Sequence, residues 1–175
     1  MNSSLFKKIA LVLVAVLVVL QFVQPSKNEG SASGVNDITQ AITVPASVQQ
    51  TLEKSCYDCH SNHTTYPWYT KIQPIGLWMQ YHVNEGKEEL NFSEFKTYKL
   101  KRQAHKLEEI AEQVEEGEMP LSSFTLIHKD AILSDAQKGE LISWAKENHL
   151  ALKQKLEEEN GSAPPPVEEG HEHHE

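Results

Sequence analysis

The five residues Cys56-Tyr57-Asp58-Cys59-His60 restrict this chain more than any other segment, because they hold both of its cysteines and an adjoining imidazole. Two thiols three residues apart lie on one face of a helical turn, and the next residue can swing its ring to the same side. Several chemistries use such a spacing. A redox dithiol normally sits at the head of a βαβ unit. A structural zinc site draws ligand pairs from separated segments, whereas Cys56, Cys59, His60 and His63 all fall within eight residues. A disulfide here would close a very small loop of little value. The C-x-x-C-H order fits covalent haem best: Cys56 and Cys59 each add to a vinyl group, and His60 becomes the proximal iron ligand. One haem c is therefore the expected cofactor.

The surroundings of the motif read as helix. Pro45 to Ser55 carries Val48 and Leu52 four apart, with Pro near its start. Pro74 to Val83 is a second short helix, ending before Asn84-Glu85-Gly86. Ser93 serves as N-cap of a third, which continues through Leu100, Ala104, Leu107, Ile110, Ala111 and Val114 at helical spacing. Gly117 and Pro120 stop it. Ser134-Asp135-Ala136-Gln137 forms a capping box for a last helix with Leu141, Ile142, Trp144 and Ala145 on its apolar side. No segment alternates as a strand does. The predicted fold class is all-α, a cytochrome c-like helical domain around one covalent haem.

The organisation follows from composition. Lys7 and Lys8 precede an apolar run from Ile9 to Leu20, and Leu5–Val23 would measure roughly 28 Å as a helix. Residues 1–24 are thus expected to be a signal anchor and transmembrane helix. Lysines ahead of the run place the body outside the inner membrane, on the periplasmic side. Residues 25–43, rich in Ser, Gly and Asn, read as a flexible linker. Residues 44–152 form the haem domain. Residues 153–175 read as an acidic, Pro- and His-containing disordered tail. Net charge is −9, but Glu157–Glu175 contributes seven acidic and no basic residues, so the body is nearly neutral. A body without a basic stripe argues against nucleic acid as a partner; the membrane and redox proteins are the expected ones.

The sixth iron position has several candidates: Met79, Met119, His63, His82, His105, His128 and His149. Met119 is preferred, because Gly117 and Pro120 turn the chain around it and 59 residues separate it from His60. His82 is the main histidine rival. Met79, beside Trp78, is expected in the core. Tyr66-Pro67-Trp68-Tyr69 either packs on the macrocycle or closes the core.

Several stretches are similar to the haem-binding domain family, small exported bacterial proteins that resemble c-type cytochromes. They are Cys56–Tyr69 (CYDCHSNHTTYPWY), Leu90–Phe95 (LNFSEF), Glu116–Pro120 (EGEMP), Ser123–His128 (SFTLIH) and Leu133–Ala145 (LSDAQKGELISWA). The resemblance runs from about Val44 to Glu147. It implies haem attachment at Cys56 and Cys59, His60 as proximal ligand, and Met119 in the place of the Met of the family's G-x-M-P segment. The expected function is a membrane-anchored, monohaem carrier of single electrons with His/Met ligation, and no enzyme. The alternatives are a peroxidase-like haem enzyme with an open distal site, or a haem-based sensor.

Overall fold

The computed structural model describes residues 3–161, and within them every regular element is helical. The helices are α1 (Ser3–Leu20), α2 (Ala46–Ser55), α3 (Tyr57–His60), α4 (Ile75–Glu89), α5 (Leu100–Glu115), α6 (Ser122–Thr125) and α7 (Asp135–Gly161). Short 3-10 turns connect them. The all-α expectation matches the described residues.

The core forms where the apolar stripes meet. α5 buries Ala104, Leu107, Ile110, Ala111 and Val114, a stripe at three- and four-residue steps. It packs along α7, which contributes Leu141, Trp144, Ala145 and Leu152. α2 supplies Val48 and Leu52, and the segment after α4 supplies Leu90, Phe92 and Phe95. Ser134 and Gln137 bond reciprocally at the start of α7, as a capping box does.

Three boundaries differ from expectation. α4 does not stop at Asn84 but runs on to Glu89. Gly86 is no terminator: a Cβ there would lie 2.7 Å from the Cys59 carbonyl oxygen, so Gly86 lets α4 lie directly against α3. Ser93 is not an N-cap of α5, which begins at Leu100. Its hydroxyl instead accepts from the Asn62 amide and donates to the Ala32 carbonyl, joining three segments. The last helix continues through Gly161, so residues 153–161, expected in the tail, are helical, with Leu156 packed against the core. The remaining tail residues, with His171, His173 and His174, lie outside the described residues.

The supposed linker is a structured strap. Asn28 is buried, and its amide donates to the Ser61 carbonyl and Thr64 Oγ1, both at 2.9 Å. The Gly30 amide donates to the Asn62 carbonyl, and Glu29 forms an isolated bridge with His63. Ile38 is fully buried, and Asp37 Oδ2 accepts from Tyr57 Oη at 3.2 Å. Its polar composition suggested flexibility, but those polar groups bond to the chain around the Cys-x-x-Cys-His turn.

α1 stands outside the core with its apolar side chains exposed, Leu11 at 71% among them. Among the described residues no helix is long and apolar enough to cross a membrane. The expected continuous helix over Leu5–Val23 ends at Leu20, and Lys7 and Lys8 lie inside it. Its uninterrupted apolar part, Ile9–Leu20, measures about 18 Å against roughly 30 Å of hydrocarbon. Helix dimensions alone therefore do not support the transmembrane anchor. The end of α1 is fastened to the body: Gln21 Nε2 donates to the Gln73 carbonyl, and the Gln73 amide donates to Gln21 Oε1 at 3.0 Å.

Candidate cofactor site

The Cys-x-x-Cys-His segment begins where α2 ends. Cys56 closes α2 through its amide bond to the Leu52 carbonyl and also precedes the single turn α3. The His60 and Cys59 amides both donate to the Cys56 carbonyl, which tightens the turn so that both thiols and the imidazole face one side. Neither cysteine is in a disulfide.

That side is a slot. A cavity of about 340 Å³ is walled by Leu52, Cys56, His60, Leu90, Phe92, Ile110, Val114, Met119 and Leu141, with Ser55, Glu89, Lys106, Glu109 and Gln113 among its polar lining residues. A second cavity of about 160 Å³ adds Cys59, His82, Glu85, Gly86, Leu121 and Phe124. The two share Ser55, Cys56, His60, Glu89, Met119 and Pro120, so they are adjoining parts of one opening. The structure thus gathers Cys56, Cys59, His60 and Met119, all singled out from sequence, around one largely apolar space.

Each wall has a local cause. His60 Nδ1 lies 3.0 Å from the Leu90 carbonyl oxygen. Donation of the Nδ1 proton to that carbonyl leaves Nε2 as the lone-pair nitrogen, the arrangement found in metal-ligating histidines. Phe92 meets the ring edge-on at 6.2 Å between centroids and stacks on Tyr57 at 5.1 Å. Burial pushes the His60 imidazole below its ordinary value and keeps it neutral, the form a metal ligand needs. Met119 is placed by the end of α5. Gly117 takes φ +78°, its amide donates to the Val114 carbonyl, and the Glu118 amide donates to the Gln113 carbonyl at 3.0 Å. These are the paired bonds of a Schellman ending. The Met119 amide adds a further bond to the same Gln113 carbonyl.

The thiol chemistry separates the readings. Burial, with Cys59 nearby, raises the Cys56 thiol to about 12; burial, with Asp58 nearby, raises Cys59 to about 11. A redox dithiol depends on a lowered thiol pKa, and these two have the opposite environment. The zinc reading fares no better: among the described residues no three His, Cys, Asp or Glu side chains gather to hold a metal ion. His63 instead turns its Nδ1 toward the Gly30 carbonyl at 3.2 Å. Two neutral thiols, an oriented imidazole and a largely apolar opening fit a haem.

Other candidates sit elsewhere. His82 borders the smaller cavity, but its Nδ1 bonds to the Trp78 carbonyl and its ring packs on Trp78. Met79 is half-buried and outside the core cluster, contrary to expectation. His105 pairs with Glu108 and Glu109 on the surface, His128 approaches Tyr69 Oη, and His149 bonds to the Ala104 carbonyl. The Tyr66–Tyr69 aromatics do not line the slot. Tyr66 Oη accepts from the Asn28 amide and donates to Gln80 Oε1, so it holds the strap, and Trp68 is exposed. Sequence reading missed the aromatic wall, Phe92 and Phe124, and the α5 face with Lys106 and Gln113. The latter lies at the edge of the α5 apolar stripe among other polar residues, and no local signal sets it apart.

Comparison with known proteins bears on this geometry directly. No curated protein and no solved structure matches the chain. A family model described as haem-binding domain matches residues 15–147, which takes in the strap, the slot and most of the helical core. By that match this chain belongs to the haem-binding domain family.

Proposed function

We propose that this haem-binding protein is a monohaem c-type cytochrome that carries single electrons, in which His60 and Met119 would be the residues that hold the iron. The observation that carries the reading is the convergence of Cys56, Cys59, His60 and Met119 on one slot. Haem, when bound, supplies a one-electron couple whose potential depends on its axial ligands. The chain's own residues do the rest. Cys56 and Cys59 tether the ring through thioethers. The Leu90 carbonyl orients His60 and strengthens it as a donor. The Schellman ending of α5 presents the Met119 thioether. Leu52, Leu90, Phe92, Val114 and Leu141 exclude water from the ring, which lowers the reorganisation that accompanies electron transfer.

α1 is proposed as the membrane attachment. What supports it is the exposed apolar run Ile9–Val19 of α1 that follows Lys7 and Lys8, with Phe22 and Val23 exposed beyond it. Lys7 and Lys8 can extend their heads toward the interface while their stems stay among apolar groups. The same lysines favour placement of the body on the extracytoplasmic side of the inner membrane.

Absorption spectra of oxidised and reduced protein test the first reading. The expected result is a low-spin, six-coordinate haem that stays with the chain through acid–acetone extraction. Extractable haem, or a high-spin iron with an open face, overturns it and favours a peroxidase-like site near His82. Alkaline carbonate washing tests the second: the protein should remain with membranes, and release into the supernatant counts against α1 as an attachment.

A further inference from the structure

The slot carries one cation. Among the residues that line its two parts, Lys106 is the only lysine or arginine. Its side chain is 10% exposed, and its Nζ lies 2.6 Å from Glu109 Oε2 and 3.3 Å from Glu89 Oε2. An ammonium withdrawn from water to this degree requires anionic company. Its two present partners are unequal: the Glu109 side chain is 36% exposed and that of Glu89 75%. Glu89 is free to turn outward without being buried elsewhere.

Position along the slot gives Lys106 its meaning. Cys59, Gly86 and Phe124 line only the smaller part; Lys106, Gln113 and Leu141 line only the larger; Cys56, His60, Glu89 and Met119 line both. A porphyrin joined to protein through its two vinyl groups carries both propionates on the opposite edge. With one thioether at Cys59, in the smaller part, the propionate edge would extend into the larger part, which α5 lines with Lys106 and Gln113. These two residues stand seven apart, two turns along one helix face.

We propose that Lys106 is the cation of a propionate subsite. Its ammonium takes a haem carboxylate in place of Glu89, and Glu109 stays to hold the lysine head. The inference rests on the haem reading above and goes one step further, because it fixes which way round the ring enters.

The test uses haem-loaded protein. Lys106→Met conserves length and removes the charge. It should keep the covalent haem and low-spin spectrum but lower the reduction potential, since a nearby cation disfavours the more positive ferric state. The propionate bending band in the resonance Raman spectrum should shift as well. Lys106→Arg should restore both. Wild-type potential and band in Lys106→Met overturn the proposal. Should that variant fail to fold, a crystal structure of the loaded wild type decides, with both propionates beyond hydrogen-bonding distance of Nζ as the overturning result. Wild-type protein without covalent haem would instead refute the cytochrome reading, whereas covalent haem with propionates elsewhere refutes only the subsite.

Discussion

Single side chains around the slot carry the sharpest consequences. Met119→Ala should remove the sulfur-to-iron charge-transfer band of the oxidised protein, lower its potential and let carbon monoxide bind. A thioether favours ferrous iron, so its loss acts in that direction. If His82→Ala produces these changes and Met119→Ala does not, the distal ligand is His82. His60 sets a pH dependence in the haem-free chain. Burial lowers its folded-state pKa, so the unfolded chain takes up a proton first as pH falls. Stability should be level above about pH 6.5, the ordinary histidine value, and decline below it. Denaturant titrations at several pH values check the slope, which His60→Ala should flatten.

The elements turn on two glycines with different reasons for being glycine. Gly86 is a close-approach residue on α4, where an added Cβ would meet Cys59 backbone at 2.7 Å. Gly86→Ala should therefore part α4 from α3 and cost about 1–3 kcal/mol, the usual range for overpacking. An uncrowded helical site would gain up to about 1 kcal/mol from the same change, so the sign of the shift in thermal midpoint decides. Gly117 has nothing within 4 Å of an added Cβ, but its φ is +78°. Gly117→Ala should cost about 1–2 kcal/mol from backbone conformation alone. Because Met119 is placed by that turn, it should also weaken the sixth-ligand band.

For the whole molecule, the strap and the cofactor decide whether the core holds. Asp37→Ala leaves the buried Tyr57 hydroxyl without its acceptor and should cost about 1–3 kcal/mol. A chain begun at Val44 loses Asn28, Asp37 and Ile38 together and should unfold at markedly lower denaturant concentration than the full chain. Equal midpoints would mean that the strap contributes nothing. Haem should contribute too, because without it the slot leaves Leu52, Phe92, Val114 and Leu141 facing empty space. The haem-free chain should melt at lower temperature, with reduced helical signal; equal melting of both forms would contradict a shared core.

What the sequence determined by itself was whatever short-range rules govern. Helical class followed from apolar spacing along 100–114. The α7 start followed from Ser134 and Gln137, three residues apart. The turn before Met119 followed from Gly117, since only glycine adopts that φ without strain. Cys56, Cys59 and His60 were legible because their chemistry is written in five consecutive residues. Tertiary structure alone decided the rest, through contacts between segments remote in the chain. Residues 25–43 look like a linker until Asn28 meets Ser61 and Thr64, 33 and 36 positions away. Gly86 looks like a helix stop until Cys59 lies against it. Trp144 binds the Thr43 carbonyl across 101 residues, and no local pattern encodes that pairing. Lys106 reads as one more charge on a charged helix. It becomes the slot's cation only when α4, α5 and α3 close around the same space, because burial belongs to the assembled core and not to the residue.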